Sequence, residues 1–168
     1  VWTYSTHVVN MAMAIKQGAL VWRMHGGSPD EFAHRMLDNL FKYHGMAVGH
    51  FTGDECVMGD SPVQGSELCS VVEAMYSYEQ LLSISGDPLW GDYLERLAFN
   101  ALPATISADM WTHQYDQQTN QVRCARLPED HVIFGTNGPE SHLFGLEPNF
   151  GCCTANFNQG WPKFALSA

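Results

Sequence analysis

The chain has 168 residues, 45% hydrophobic and 12% aromatic, enough for the core of about one domain and too apolar for a disordered or fibrous protein. Its formal net charge is −10, with eight lysines and arginines that nowhere cluster, so a phosphate backbone is a poor partner. No window approaches the roughly eighteen apolar residues of a membrane span, which leaves neither nucleic acid nor membrane as an expected partner and points instead to a neutral ligand such as a sugar.

From Val8 to His25 the apolar residues Val8, Met11, Ile15, Val21 and Trp22 recur at helical spacing until Gly26-Gly27-Ser28-Pro29 stops the run. Asp30 to Tyr43 reads as a second helix with Phe32, Met36, Leu40 and Phe41 inward. His44 to Gly65 is glycine-bearing and aperiodic, a long loop of the kind that serves function. Ser66 and Glu67 open a third helix with Leu68, Val71, Val72, Met75 and Leu82 inward, closed by Ser85-Gly86-Asp87-Pro88, and a fourth runs from about Leu89 to Leu102. Two similar helix pairs with similar stops suggest an α/α toroid or a solenoid. Alternation of Trp111, His113 and Tyr115, then Val122 and Cys124, around Thr119-Asn120 predicts a β-hairpin. A Pro- and Gly-bearing loop from Leu127 to Asn149 leads to a final helix begun by Cys152 and Cys153, where the helix N-terminus favours thiolate.

The five cysteines, at positions 56, 69, 124, 152 and 153, match no small disulfide framework. Adjacent cysteines make a strained disulfide, because their Cβ vectors point apart. Cys152 and Cys153 with Glu67 and Cys69 instead supply four ligands, enough for one tetrahedral zinc, and reduced thiols fit a reducing, cytoplasmic compartment. The same cysteines also read as small buried apolar residues. Residues two apart on a helix point about 200° away from each other, so Glu67 and Cys69 share an ion only at an irregular helix start. Cys56 and Cys124 are expected to be structural thiols. The chain opens on Val1-Trp2-Thr3-Tyr4 and closes on the apolar Trp161 to Leu166 run, which reads as an internal fragment of a longer enzyme.

Gly53-Asp54-Glu55, Glu67-Leu68-Cys69, Leu94-Glu95-Arg96-Leu97-Ala98-Phe99-Asn100 and Gly151-Cys152-Cys153-Thr154-Ala155-Asn156, in that order, resemble the zinc-dependent β-L-arabinofuranosidases of glycoside hydrolase family 127. The resemblance runs from about His7 to the end. It implies a mainly α fold, a partial (α/α)6 barrel with a small β-hairpin, and residues 1–168 as one catalytic domain truncated at both ends. It implies a glycan substrate, Zn2+ on Glu67, Cys69, Cys152 and Cys153, Cys152 as nucleophile, Glu55 as general acid/base, and His7, Glu95 and Tyr115 as sugar contacts. Two departures, a shorter stretch from Glu55 to Glu67 and no proline after the cysteine pair, suggest a subgroup with its own sugar. Alternatives are a non-catalytic helical module stapled by a structural Cys3Glu zinc, or an inactive fragment; an acid near the thiolates separates enzyme from staple.

Overall fold

The computed structural model describes residues 6–121, 123–128, 138–146 and 149–168. Its organising element is an eighteen-residue helix, Leu68–Ser85, with eleven residues buried, including Leu68, Val71, Val72, Met75, Tyr78 and Leu81. A helix apolar on nearly every side must be surrounded by others, and this one is. Helices α1 (Val8–Ala14), α2 (Gln17–His25) and α3 (Glu31–His44) precede it as α4, and α5 (Pro88–Arg96), α6 (Leu102–Ala104) and α7 (Gly151–Ser167) follow. Helices α1, α5 and α7 all pack on α4, while α2 packs on α3. The fold is mainly α, and its successive helix pairs fit a partial (α/α)6 barrel.

Local chemistry fixes the helix ends. The Asp87 carboxylate accepts from the Leu89 N–H at 2.9 Å and Pro88 takes the first turn of α5, where no N–H is needed. Gly86 closes α4 in the left-handed region at φ 71°. Between α5 and α6, Leu97–Ala101 forms a π-helical turn. In that register the Ala98 carbonyl would receive the N–H of residue 103, which is a proline and has none. The Trp161 indole N–H of α7 donates to it instead at 2.9 Å, and the Gln117 amide donates to the Ala101 carbonyl at 2.7 Å.

Three expectations are corrected. The helix drawn from Val8 to His25 breaks at Ile15 and Lys16, where the Lys16 ammonium turns back to the Met13 carbonyl (3.0 Å) and across to the Ser77 hydroxyl of α4 (3.2 Å). The long loop after His44 holds two antiparallel pairs, β1 (Gly45–Met46) with β2 (His50–Phe51) and β3 (Gly53–Asp54) with β4 (Cys56–Val57). Strands of two residues leave no alternation to read. The hairpin expected over Trp111 to Cys124 does not form among the described residues, and Val122 lies outside them. Its strand, β6 (Asp116–Gln118), pairs with β5 (Gly65–Glu67) instead. The result is a four-stranded sheet in the order β4-β3-β5-β6. No helix among the described residues is long and apolar enough to cross a membrane.

Helix α7 reaches α4 over a glycine. A Cβ at Gly160 would lie 2.7 Å from a Leu102 methyl and 3.5 Å from one of Val72. Gly160→Val is therefore expected to lower stability by about 1–3 kcal/mol through overpacking, read as a lower melting temperature; an unchanged melt would show that the helices do not approach this closely.

Candidate metal centre and acid/base pair

The small sheet carries the functional side chains on its ends. Glu67 is the last residue of β5 with extended backbone (φ −64°, ψ 134°), and Cys69 sits in the first turn of α4. The change from strand to helix between them removes the 200° divergence that would separate them mid-helix. Pairing of Glu67 with Asp116, and a Leu68 N–H to Tyr115 carbonyl bond of 2.8 Å, pin that junction.

Helix α7 brings the other two ligands. The Sγ atoms of Cys69 and Cys153 are 3.2 Å apart, those of Cys152 and Cys153 are 3.9 Å apart, and one donor atom from each of Glu67, Cys69, Cys152 and Cys153 lies within 4.8 Å of the rest. Bonds of about 2.3 Å to a tetrahedral zinc would set sulfurs about 3.8 Å apart, so the donor set fits one ion with little adjustment. Glu67 is 3% exposed and its Oε2 has no hydrogen-bond partner, an arrangement a cation would relieve. Cys69 and Cys153 are buried, whereas Cys152 is exposed.

Proton affinities follow from this packing. Hydrogen bonding from Cys153, helped by Cys69 and the Cys153 backbone N–H, lowers Cys152 to about 6. Cys153, donating to its neighbours and buried, is pushed far up, and Cys69 is raised as well. Without metal the three sulfurs thus share one thiolate, and it sits on the exposed Cys152. Burial raises Glu67 to about 8, reinforced by Glu55, Cys152 and Asp54 and opposed by a hydrogen bond with Cys69.

Glu55 stands opposite, at the tip of the turn between β3 and β4, in the left-handed region at φ 64° that a side-chain-bearing residue seldom adopts. Its carbonyl receives the Val8 N–H at 2.8 Å. The Tyr115 hydroxyl donates to Oε1 at 3.2 Å, and His7 Nε2 lies 3.4 Å from Oε2. His7 Nδ1 accepts from the Asn10 N–H at the start of α1, so the ring proton is left on Nε2, pointing at Glu55. Tyr115 is fully buried, its ring stacked 3.9 Å from Phe150, the residue before α7.

The structure thus brings together seven of the eight residues expected from sequence. Glu95 is the exception: it is exposed on α5, lining hollows with Asp92, Arg96 and Phe99 or with Leu82, Pro88 and Phe164, none of them members of the cluster. Some contributors had no sequence signal beyond their neighbours. Burial, with the carboxylates of Glu67, Asp54 and Glu55 nearby, pushes the Tyr115 phenol up. Asp116 is fully buried, and a Cβ at Gly65 would fall 2.2 Å from its carboxylate, which explains that glycine. His113 Nε2 meets the Thr154 hydroxyl at 2.8 Å and ties the cysteine helix to the Tyr115 segment. A hollow of about 400 Å3 between α2 and α3 touches none of these residues. A second cluster, Asp30, His34 and Asp87, is a hydrogen-bonded link between α3 and the start of α5, with His34 Nε2 3.2 Å from Asp87.

Residues 41–166 match the family model for the β-L-arabinofuranosidase GH127 catalytic domain. The chain belongs to glycoside hydrolase family 127. It is a glycoside hydrolase of β-L-arabinofuranosidase type with a glycan as substrate, and the Glu/Cys3 cluster lies inside the matched GH127 segment while His7 precedes it. No curated protein matches the chain significantly.

In the metal-free GH127 chain, Glu67 keeps a proton between its ordinary 4.5 and about 8 that the unfolded chain has released. Its contribution to stability is then greatest below that window and is lost as pH rises through it, while the lowered proton affinity of Cys152 adds stability as pH rises above about 6. The urea midpoint of wild type relative to Glu67→Gln, a difference that isolates Glu67, is expected to fall from about pH 5 to about pH 8. Alkylation of metal-free protein should titrate at Cys152 with a midpoint near 6; a midpoint at an ordinary thiol value would remove Cys152 as the resident thiolate.

Proposed function

We propose that the enzyme is a retaining hydrolase that releases L-arabinofuranose or a related sugar from β-linked glycans, with Cys152 as nucleophile, Glu55 as acid/base and zinc on Glu67, Cys69, Cys152 and Cys153. The observation that carries the reading is that, of the three clustered sulfurs, only Cys152 is exposed, close enough to Glu55 to feel its charge. A structural staple needs no acid at its edge. The helices are read as belonging to one (α/α)6-barrel catalytic domain.

The donor set, three cysteines and a carboxylate, is one that zinc accepts. When bound, zinc supplies the positive charge that keeps the sulfurs ionised at neutral pH. Glu55 protonates the glycosidic oxygen as its bond to the anomeric carbon breaks and Cys152 Sγ bonds to that carbon. Glu55 then takes a proton from the water that attacks the same carbon, and Cys152 leaves as thiolate. Tyr115 and His7 hold the carboxyl in place from its two oxygens, and both are read as contacts of the sugar. Glu95 has no part in this reading.

Cys152→Ser should lower turnover of an aryl β-L-arabinofuranoside by several orders of magnitude, because a serine hydroxyl is not ionised at neutral pH. Glu55→Gln should retain activity mainly on substrates with very good leaving groups, which need little protonation. Strong chelation or thiol alkylation should inactivate the wild type, with substrate protecting. A Cys152→Ser enzyme turning over at the wild-type rate would eliminate the thiolate mechanism.

A further inference from the structure

Resting on the zinc reading above, we propose that His50 is a positioning residue for the metal ligands: through the Ser70 hydroxyl it fixes the backbone between Glu67 and Cys69, and so sets how tightly the cluster holds a cation. His50 lies on β2, outside every motif that carries the ligands, and is fully buried. Its Nε2 is 2.9 Å from the Ser70 hydroxyl of α4. That hydroxyl lies 2.7 Å from the Glu67 carbonyl oxygen and 3.3 Å from the Ser66 hydroxyl, and both serines are fully buried as well.

The donors and acceptors present decide where each proton lies. A carbonyl can only accept, so the single Ser70 proton goes to Glu67, and the lone pairs of Ser70 must receive the other two groups. His50 therefore carries its proton on Nε2 and donates to Ser70. Burial lowers His50 to about 3, so the ring is neutral at neutral pH and its one N–H is committed to this bond. That tautomer leaves Nδ1 as a bare acceptor, and Nδ1 is buried with no hydrogen-bond partner among the described residues. An unpaired buried acceptor is unfavourable. A phenyl ring against Phe51, whose centroid is 4.1 Å away, would carry no such penalty, so what imidazole adds at this position is the Nε2 donor. The donor acts on one peptide unit. Between Glu67 and Leu68, where β5 becomes α4, the Leu68 N–H is held by the Tyr115 carbonyl at 2.8 Å and the Glu67 carbonyl by Ser70. With both ends of that peptide fixed, the Glu67 and Cys69 side chains are aimed at one point before a cation arrives, which is how groups behind metal ligands raise affinity.

The test is the zinc dissociation constant, measured by competition with a chromophoric chelator, alongside the melting temperature of the metal-free protein. His50→Phe, which keeps a ring and removes the donor, and Ser70→Ala, which removes the hydroxyl, are each expected to weaken zinc binding about 10- to 100-fold. His50→Gln, whose amide can place an N–H where Nε2 stands, should recover most of that loss. The double variant His50→Phe/Ser70→Ala should bind zinc no more weakly than either single variant, because both cut the same chain of hydrogen bonds. Wild-type zinc affinity in either His50→Phe or Ser70→Ala overturns the role and leaves the zinc site standing. Where His50→Phe lowers the metal-free melt, the smaller change Ser70→Ala decides: weakened zinc binding at a wild-type melt supports the role, and wild-type binding overturns it. Wild-type protein that binds no zinc overturns the zinc reading and this one with it.

Discussion

A contact of 3.2 Å between two buried sulfurs, Cys69 and Cys153, holds the site together across 84 positions of sequence. Everything around it serves to bring those two atoms to one place. Helix α4 supplies Cys69 from its first turn, and helix α7 lies along α4 over Gly160 to deliver Cys153. The desolvation that packing imposes on the sulfurs and on Glu67 is unfavourable for any one of them alone. It becomes tolerable when they share protons or a cation, so burial here assembles a candidate ligand set.

The acid/base side is built by different means. Glu55 gains no support from a core; it is placed by backbone, at a left-handed turn residue, and then gripped at both carboxylate oxygens by Tyr115 and His7. Tyr115 also touches the cysteine side through Phe150. One aromatic residue therefore links the two halves of the proposed chemistry, and strand β6, which follows it, fixes the same sheet that ends in Glu67.

Much of this was legible in the sequence because it is carried by residue types that tolerate few readings. Adjacent cysteines, a Glu-x-Cys at a helix start and a Gly-Asp-Glu loop each point to residues that the structure brings to one place, and the geometric objection to Glu67 and Cys69 sharing a helix is answered by the strand-to-helix junction the structure contains. The periodic helices α3 and α5 were readable for the same reason that they pack: one apolar face per 3.6 residues. What failed was short or non-local. Two-residue strands carry no period, the choice of β5 over a local hairpin partner for β6 is tertiary, and the break at Lys16 depends on Ser77, 61 positions away. Glu95 sits beside Arg96 in a motif that a sequence cannot orient; it lies on the exposed face of α5, and its expected role as a sugar contact is not tested by that position.

The long separation of the cysteines also governs the order in which the molecule can be made. Cys69 is synthesised far ahead of Cys152 and Cys153, so its thiol has no native sulfur partner until helix α7 has formed and closed a loop of 84 positions. Closing such a loop carries an entropic cost of roughly 4 kcal/mol beyond a constant term, set against contacts available only once helix α7 has docked. High contact order of this kind slows folding. The nascent chain must keep the Cys69 thiol reduced throughout that interval for the cluster to assemble.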